Sequence, residues 1–160
     1  MSLDSASGKQ FFSHTHKLVR DRESLIVHPL DTEDRKIHYL DATCRELNHP
    51  VKMKLSIIEK KYKFLIPDSE RISCIDLEKI QFPLIIRRWQ KGDYFMPLGM
   101  NGMKKLSDFF IDQKMSLPEK ENTWILANGE QIVWIIGSRL DDRYKITSKT
   151  KNILRMELIG

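Results

Sequence analysis

Gly99 and Gly102 stand just ahead of Lys104 and Lys105 in the stretch GDYFMPLGMNGMKKLSDFF of this 160-residue chain. Glycine lets a backbone approach a ligand closely, and a helix opening near Lys104 would turn free N–H groups toward its own N-terminus. Amides and cations in that arrangement suit anion binding, phosphate above all. Two lysines in a first helical turn oppose the macrodipole by a few tenths of a kcal/mol. An anion seated between them reverses that sign. Arg87, Arg88 and Lys91 close the preceding apolar run and can converge on the same place, while Arg139, Arg143 and Lys145 form a second basic run. Such a patch has the composition that grips a nucleic-acid backbone. The plainer alternative is a tight turn that delivers a helix to the core, its lysines merely solvated.

Chemistry beyond anion binding finds little footing. The glycines, at 8, 92, 99, 102, 129, 137 and 160, form neither a dinucleotide fingerprint nor a phosphate loop, and no G-x-S-x-G elbow occurs. No catalytic residue is assigned. Cys44 and Cys74 lie far apart outside any C-x-x-C and read as reduced thiols. The pair His14 and His16 lacks further ligands nearby, so no metal is assigned. Asp141 and Asp142, flanked by Arg139, Arg143 and Lys145, read as ion-pair partners rather than a cation site.

Net charge is +5, with 41% hydrophobic and 31% charged residues, which is a globular composition. Residues 81–160 carry thirteen Lys/Arg against nine Asp/Glu, so the positive field belongs mainly to the second half. No apolar run reaches the roughly 20 residues that span a bilayer, and the opening MSLDSASGKQ lacks the apolar core of a secretory signal. A cytoplasmic location with no membrane partner is expected.

The elements that must position these residues follow from apolar periodicity. HKLVRDRESLIVHP predicts two short strands around Asp21-Arg22-Glu23, and the mixed polar stretch 30–50 predicts loop with a short helix. Val51, Met53, Leu55 and Ile57 alternate with polar residues as a half-buried strand, with a returning strand over Tyr62–Ile66 stopped by Pro67. Leu84–Trp89 predicts a strand turning at Gly92-Asp93. Leu106, Phe109 and Phe110 form the stripe of an amphipathic helix that ends before Pro118. Asn128-Gly129 joins two runs apolar on both faces, an inner hairpin covered on two sides. NILRMELI supplies a last strand. The expected fold class is α+β, a strand-dominated layered sheet or β-sandwich with one main helix.

PLIIRRWQKGDYFMPLGMNGMKKLSDFFIDQKM followed by IVWIIGSRLDDRYKIT closely resembles the C-terminal domain of bacterial tRNA(Ile)-lysidine synthetases. The resemblance rests on Arg87 or Arg88 before Gly92-Asp93, Pro97-Leu98-Gly99, Lys104-Lys105-Leu106, Asp108, Phe109 and a Trp-containing strand ending at Gly137. Upstream, SGKQFFSHTHKLVRDRESLIV is similar to the stretch after that family's central helical linker. The resemblance divides the chain into a β-rich segment, 1–80, and a tRNA-binding domain, 81–160. It implies a fold akin to a domain of the phenylalanyl-tRNA synthetase β-subunit. It further implies a parent enzyme whose N-terminal domain, with an S-G-G-x-D-S loop absent here, uses ATP and Mg to join lysine to the anticodon cytidine of tRNA(Ile). Within such a parent this chain is catalytically inactive and holds the acceptor stem. The implied RNA contacts are Arg87, Arg88, Lys91, Gly99, Gly102, Lys104, Lys105, Arg139, Arg143 and Lys145. Family members often carry Arg after the Pro that follows the helix. Glu119-Lys120-Glu121 stands there instead, and Lys120 receives no role. The rival reading is a docking module, for the N-terminal domain or a homodimer, with no RNA contact.

Overall fold

A computed structural model describes the backbone of residues 10–12, 16–20 and 25–29 and the whole of 36–160. The elements in chain order are β1 (Gln10–Phe12), β2 (His16–Arg20), β3 (Leu25–Pro29), β4 (His38–Leu40), β5 (Glu46–Leu47), β6 (Met53–Glu59) and β7 (Ile72–Asp76). There follow β8 (Leu84–Arg88), β9 (Tyr94–Phe95), β10 (Lys104–Lys105), α1 (Leu106–Asp112), α2 (Leu117–Glu121), β11 (Trp124–Asn128), β12 (Gln131–Ile135), β13 (Arg139–Leu140) and β14 (Asn152–Leu158). None of the described helices is long and apolar enough to cross a membrane.

Two compact units divide at 36/37. The first holds the antiparallel sheet β1-β2-β3, in which Leu18 faces Val27 across the expected hairpin. Its turn, Asp21 to Glu23, and His14 lie outside the described residues. A boundary at 80 would cut the second unit's four-stranded sheet, β5-β6-β14-β7. There β14 pairs Leu154 with Ile57 on one side and with Ile75 on the other.

The second unit is built in layers. A five-stranded sheet, β13-β12-β11-β8-β4, faces the four-stranded one. Between them lies a core that includes Leu40, Met53, Ile75, Leu84, Ile86, Leu126, Trp134, Leu154 and Met156. The opposite face of the β11-β12 hairpin buries Ile125, Ile132 and Ile135 against Phe95 and the α1 stripe Leu106, Phe109 and Phe110. Burying those three helical side chains is worth roughly 5–9 kcal/mol. Both apolar faces of the hairpin are thus covered, by strands on one side and a helix on the other. The fold is α+β and strand-dominated.

Local differences from the sequence expectations have physical causes. Tyr62–Ile66 forms no strand, because both neighbours of β6 are already taken by β5 and β14. The chain instead turns at Lys61–Phe64. Residues 36–50 contain β4, β5 and a turn, and no helix. The hairpin's two-residue turn is Gly129-Glu130, one place later than expected, with Gly129 at φ +60°. Asn128 stays in its strand, where its side-chain oxygen accepts the Gln81 N–H at 3.1 Å. The α1 helix ends before Pro118, as expected, but Pro118 also stands in the first turn of a second helix, α2. Ser116 caps it and Glu119 returns the bond, a capping box legible in Ser-Leu-Pro-Glu.

Candidate nucleic-acid interface

After β8 the chain reverses at Lys91-Gly92, where the Asp93 N–H reaches Gln90 O at 3.0 Å. Asp93 accepts a two-pronged bond from Arg87, both prongs at 2.9 Å, and a third from the Gln90 N–H at 2.6 Å. Arg87 is therefore spent on the turn. The Arg88 guanidinium carbon lies over Trp124, 4.1 Å from the ring centroid. Trp89 donates from Nε1 to Lys120 O at 2.7 Å and packs edge-on against Phe110. That bond anchors α2 to the sheet and leaves the indole no role as a stacking platform.

Beyond the turn, β9 and β10 form a two-stranded ribbon that pairs Lys104 with Phe95 and Lys105 with Tyr94. Side chains alternate along a strand, so neighbouring lysines point to opposite faces. Lys104, on the Phe95 face, is ion-paired to Asp112 of α1. Lys105, on the Tyr94 face, is exposed, its ammonium 6.0 Å from the tyrosine ring. The helix starts at Leu106, two residues later than expected. Its first amide, Leu106 N–H, is donated to Asp93 O at 2.9 Å.

The bend between β9 and β10 is fastened to the loop after β13. Leu98 N–H donates to Leu140 O, and Asp142 N–H to Met96 O. Asp141 is fully buried and accepts the Met96 N–H at 2.9 Å together with a fork from Arg143 at 3.0 and 2.9 Å. That bonding raises the Arg143 pKa above its ordinary value, against the opposing effect of burial. Asp142 accepts the Gly99 N–H at 3.0 Å and pairs with Lys145 at 3.1 Å. The Gly99 amide is the main cause that lowers the Asp142 pKa, with Lys145 next. The two aspartates thus form the ion pairs read from sequence, and they also bind backbone amides of the bend, which the sequence did not disclose.

These contacts do not assemble the phosphate cradle anticipated at 99–102. The Gly99 amide is given to Asp142, and the two lysines face apart. Gly99 still needs to be glycine, at φ +86°. Gly102 is exposed, with open space where a Cβ would stand. Of the ten candidate contacts, Arg87, Lys104, Arg143 and Lys145 are paired to carboxylates and shape the bend. Lys91 and Lys105 face solvent without a carboxylate partner among the described residues, and half-buried Arg139 lies 5.9 Å from the Phe109 ring.

ATP and Mg do not fit the residues present. No group of three His, Cys, Asp or Glu that could hold an ion occurs among the described residues, and Gly92, Gly99, Gly129 and Gly137 stand singly at turns.

The layered α+β unit has the architecture of a tRNA-lysidine synthase C-terminal domain. A solved structure described as the TilS C-terminal domain covers 78% of this chain and 99% of its own at a TM-score of 0.58, with 18% identity. A fragment of the phenylalanyl-tRNA synthetase β-subunit from Pyrococcus horikoshii overlaps 53% of this chain and 27% of its own at a TM-score of 0.47, with 19% identity. Two family profiles match in sequence: the TilS substrate binding domain over residues 1–30 and the TilS substrate C-terminal domain over 84–158. Curated relatives include the tRNA(Ile)-lysidine synthases of Parabacteroides distasonis, 39% identical over 99% of this chain, and Bacteroides thetaiotaomicron, 34% identical over 99%. This chain belongs to the C-terminal region of the tRNA(Ile)-lysidine synthase family. It spans about a third of the length of those relatives, 36% and 34% respectively.

Proposed function

We propose that this chain is the tRNA-holding part of a tRNA(Ile)-lysidine synthase, gripping the acceptor stem while another part of such an enzyme uses ATP to ligate lysine to the anticodon cytidine. The carrying observation is the match along 99% of the chain to relatives named for that tRNA. A remote grip has a physical purpose. The reaction concerns one base, and contacts to a distant stem orient the loop and help tell one tRNA from another. Lys91, Lys105 and Arg139 make the phosphate contacts. Arg87, Lys104, Arg143 and Lys145 hold the bend that presents them, and residues 81–160 carry the interface. The protein works in the cytoplasm.

Changing Lys91 and Lys105 together to Ala tests this. Both are exposed, so the fold survives. Binding to a tRNA(Ile) transcript should weaken, and the slope of log affinity against log salt should shrink by about 1.8. An acceptor-stem minihelix should compete for the same site. Unchanged affinity and slope would remove these lysines from the interface.

The docking or homodimer reading retains one supporting observation. Leu98, Met100 and Met103 expose 39%, 45% and 51% of their surface on the bend. A salt-insensitive dimer that ignores RNA would favour it.

A further inference from the structure

We infer that a second RNA-contacting surface lies where the turn after β6, outside the region matched by the C-terminal profile, meets the loop before β14. The inference rests on the tRNA-holding reading. Residues 31–83 match neither family profile, and the turn Lys61–Phe64 falls among them. Tyr62 and Lys63 are its central pair, and Tyr62 is 98% exposed. A tyrosine with its whole ring in water, between Lys61 and Lys63, offers a π-face for a base and cations for the adjoining phosphates. A duplex hides its base faces, so the partner is an RNA with an unpaired nucleotide.

The neighbouring loop adds charge on a fixed frame. Lys60 N–H donates to Lys151 O at 2.8 Å, and Lys60 Nζ to Thr147 O at 3.0 Å, so the two loops lie side by side. Thr150 holds the second loop in shape. Its hydroxyl accepts the Thr147 N–H at 2.9 Å and donates to buried Asp76 at 2.8 Å. Lys149 and Lys151 stand exposed on that frame. Lys61, Lys63, Lys149 and Lys151 have no ion pair among the described residues, and Lys60 bonds only carbonyl oxygen, which leaves its charge uncompensated. Against these five stand Glu59 at the strand end and Glu78 in the open cleft beside Lys149. Asp76 and Asp142 are already bonded to Thr150 and to Gly99 and Lys145. Leu65 and Ile66, 86% and 60% exposed, continue the turn and would also suit an anionic lipid surface. Five uncompensated cations spread over two loops, with a single ring between them, match a phosphate chain and one base more closely.

The test uses the whole chain and a fluorescein-labelled tRNA(Ile) transcript, with a blunt RNA duplex as comparator. Tyr62→Ala should weaken transcript binding roughly 5- to 100-fold with the salt slope intact, and Tyr62→Phe should restore it. Lys61→Ala with Lys63→Ala should reduce the slope by about 1.4, two single-strand phosphate contacts. Duplex binding should ignore Tyr62. If these variants bind the transcript as the parent does while Lys91→Ala/Lys105→Ala weakens it, the second surface is refuted and the tRNA-holding reading stands. If the parent shows no salt-dependent transcript binding, both fall. Tyr62-dependent binding to phosphatidylserine vesicles, with transcript affinity untouched, would overturn the inference in favour of lipid.

Discussion

Replacing Asp141 by Ala would remove the most concentrated set of contacts beneath the bend. The carboxylate is fully buried and accepts from the Met96 amide, the Arg143 amide and two Arg143 guanidinium nitrogens. Breaking a buried pair from one side costs about 3–5 kcal/mol, because the remaining charge is stranded. Arg143 is 29% exposed and can turn toward water, which pulls the figure to the low end. The orphaned Met96 amide adds about 1 kcal/mol or more. A loss of about 4 kcal/mol is a large share of the roughly 5–15 kcal/mol that holds a domain together. Urea unfolding followed through Trp89, Trp124 and Trp134 reads it out. With a slope of about 2 kcal/mol per molar, the midpoint should fall by about 2 M. The Arg143→Ala change made together with Asp141→Ala should cost less than the sum of the two alone, since no charge is then stranded. A loss under about 0.5 kcal/mol, or strictly additive losses, would refute the claim that Asp141 holds the bend.

Two further outcomes are expected. Ser116→Ala should cost about 1 kcal/mol by unmaking the α2 cap and should shift Trp89 emission to the red, since Trp89 is bonded to Lys120 of that helix; an unmoved spectrum would detach the cap from the indole. Because the Asp142 carboxyl is lowered from 3.8 by Gly99 and Lys145, its bonding is fully present above that value and is lost as pH falls through the lower folded-state pKa. The Gly99 amide shift in nuclear magnetic resonance should therefore titrate with a midpoint below 3.8, and a midpoint at or above it would contradict the bond.

What could be read from the sequence was whatever a local period records. Ile86 and Leu84, the β11-β12 hairpin, the Phe109-Phe110 stripe and β14 all announced themselves because one or two faces had to be apolar. Lys104 and Lys105 misled because a two-residue strand has no period to detect; the lysines adjoin a helical stripe and read as its first turn. The aspartates' second role was hidden by distance. Asp141 and Asp142 meet amides 45 and 43 residues away, and no spacing rule reaches that far. Tyr62 to Ile66 has strand composition, and what decided against a strand was the pairing of β6 by a segment near residue 155. The capping box at Ser116 is a local signal, legible in Ser-Leu-Pro-Glu, that makes Pro118 a helix opener as well as a stop.

Because β14 lies between β6 and β7, the middle of that sheet is made from residues 152–158, about a hundred residues along the chain from β6. Without them β6 and β7 each lack a lateral partner, and the core loses Leu154 and Met156 from beside Met53, Leu55 and Ile75. A polypeptide ending even ten residues short would carry two open sheet margins, a form prone to stick to its own copies. The core of this unit is therefore completed by a segment far along the chain from the strands it joins, and a form without residues 152–158 lacks the centre of its four-stranded sheet.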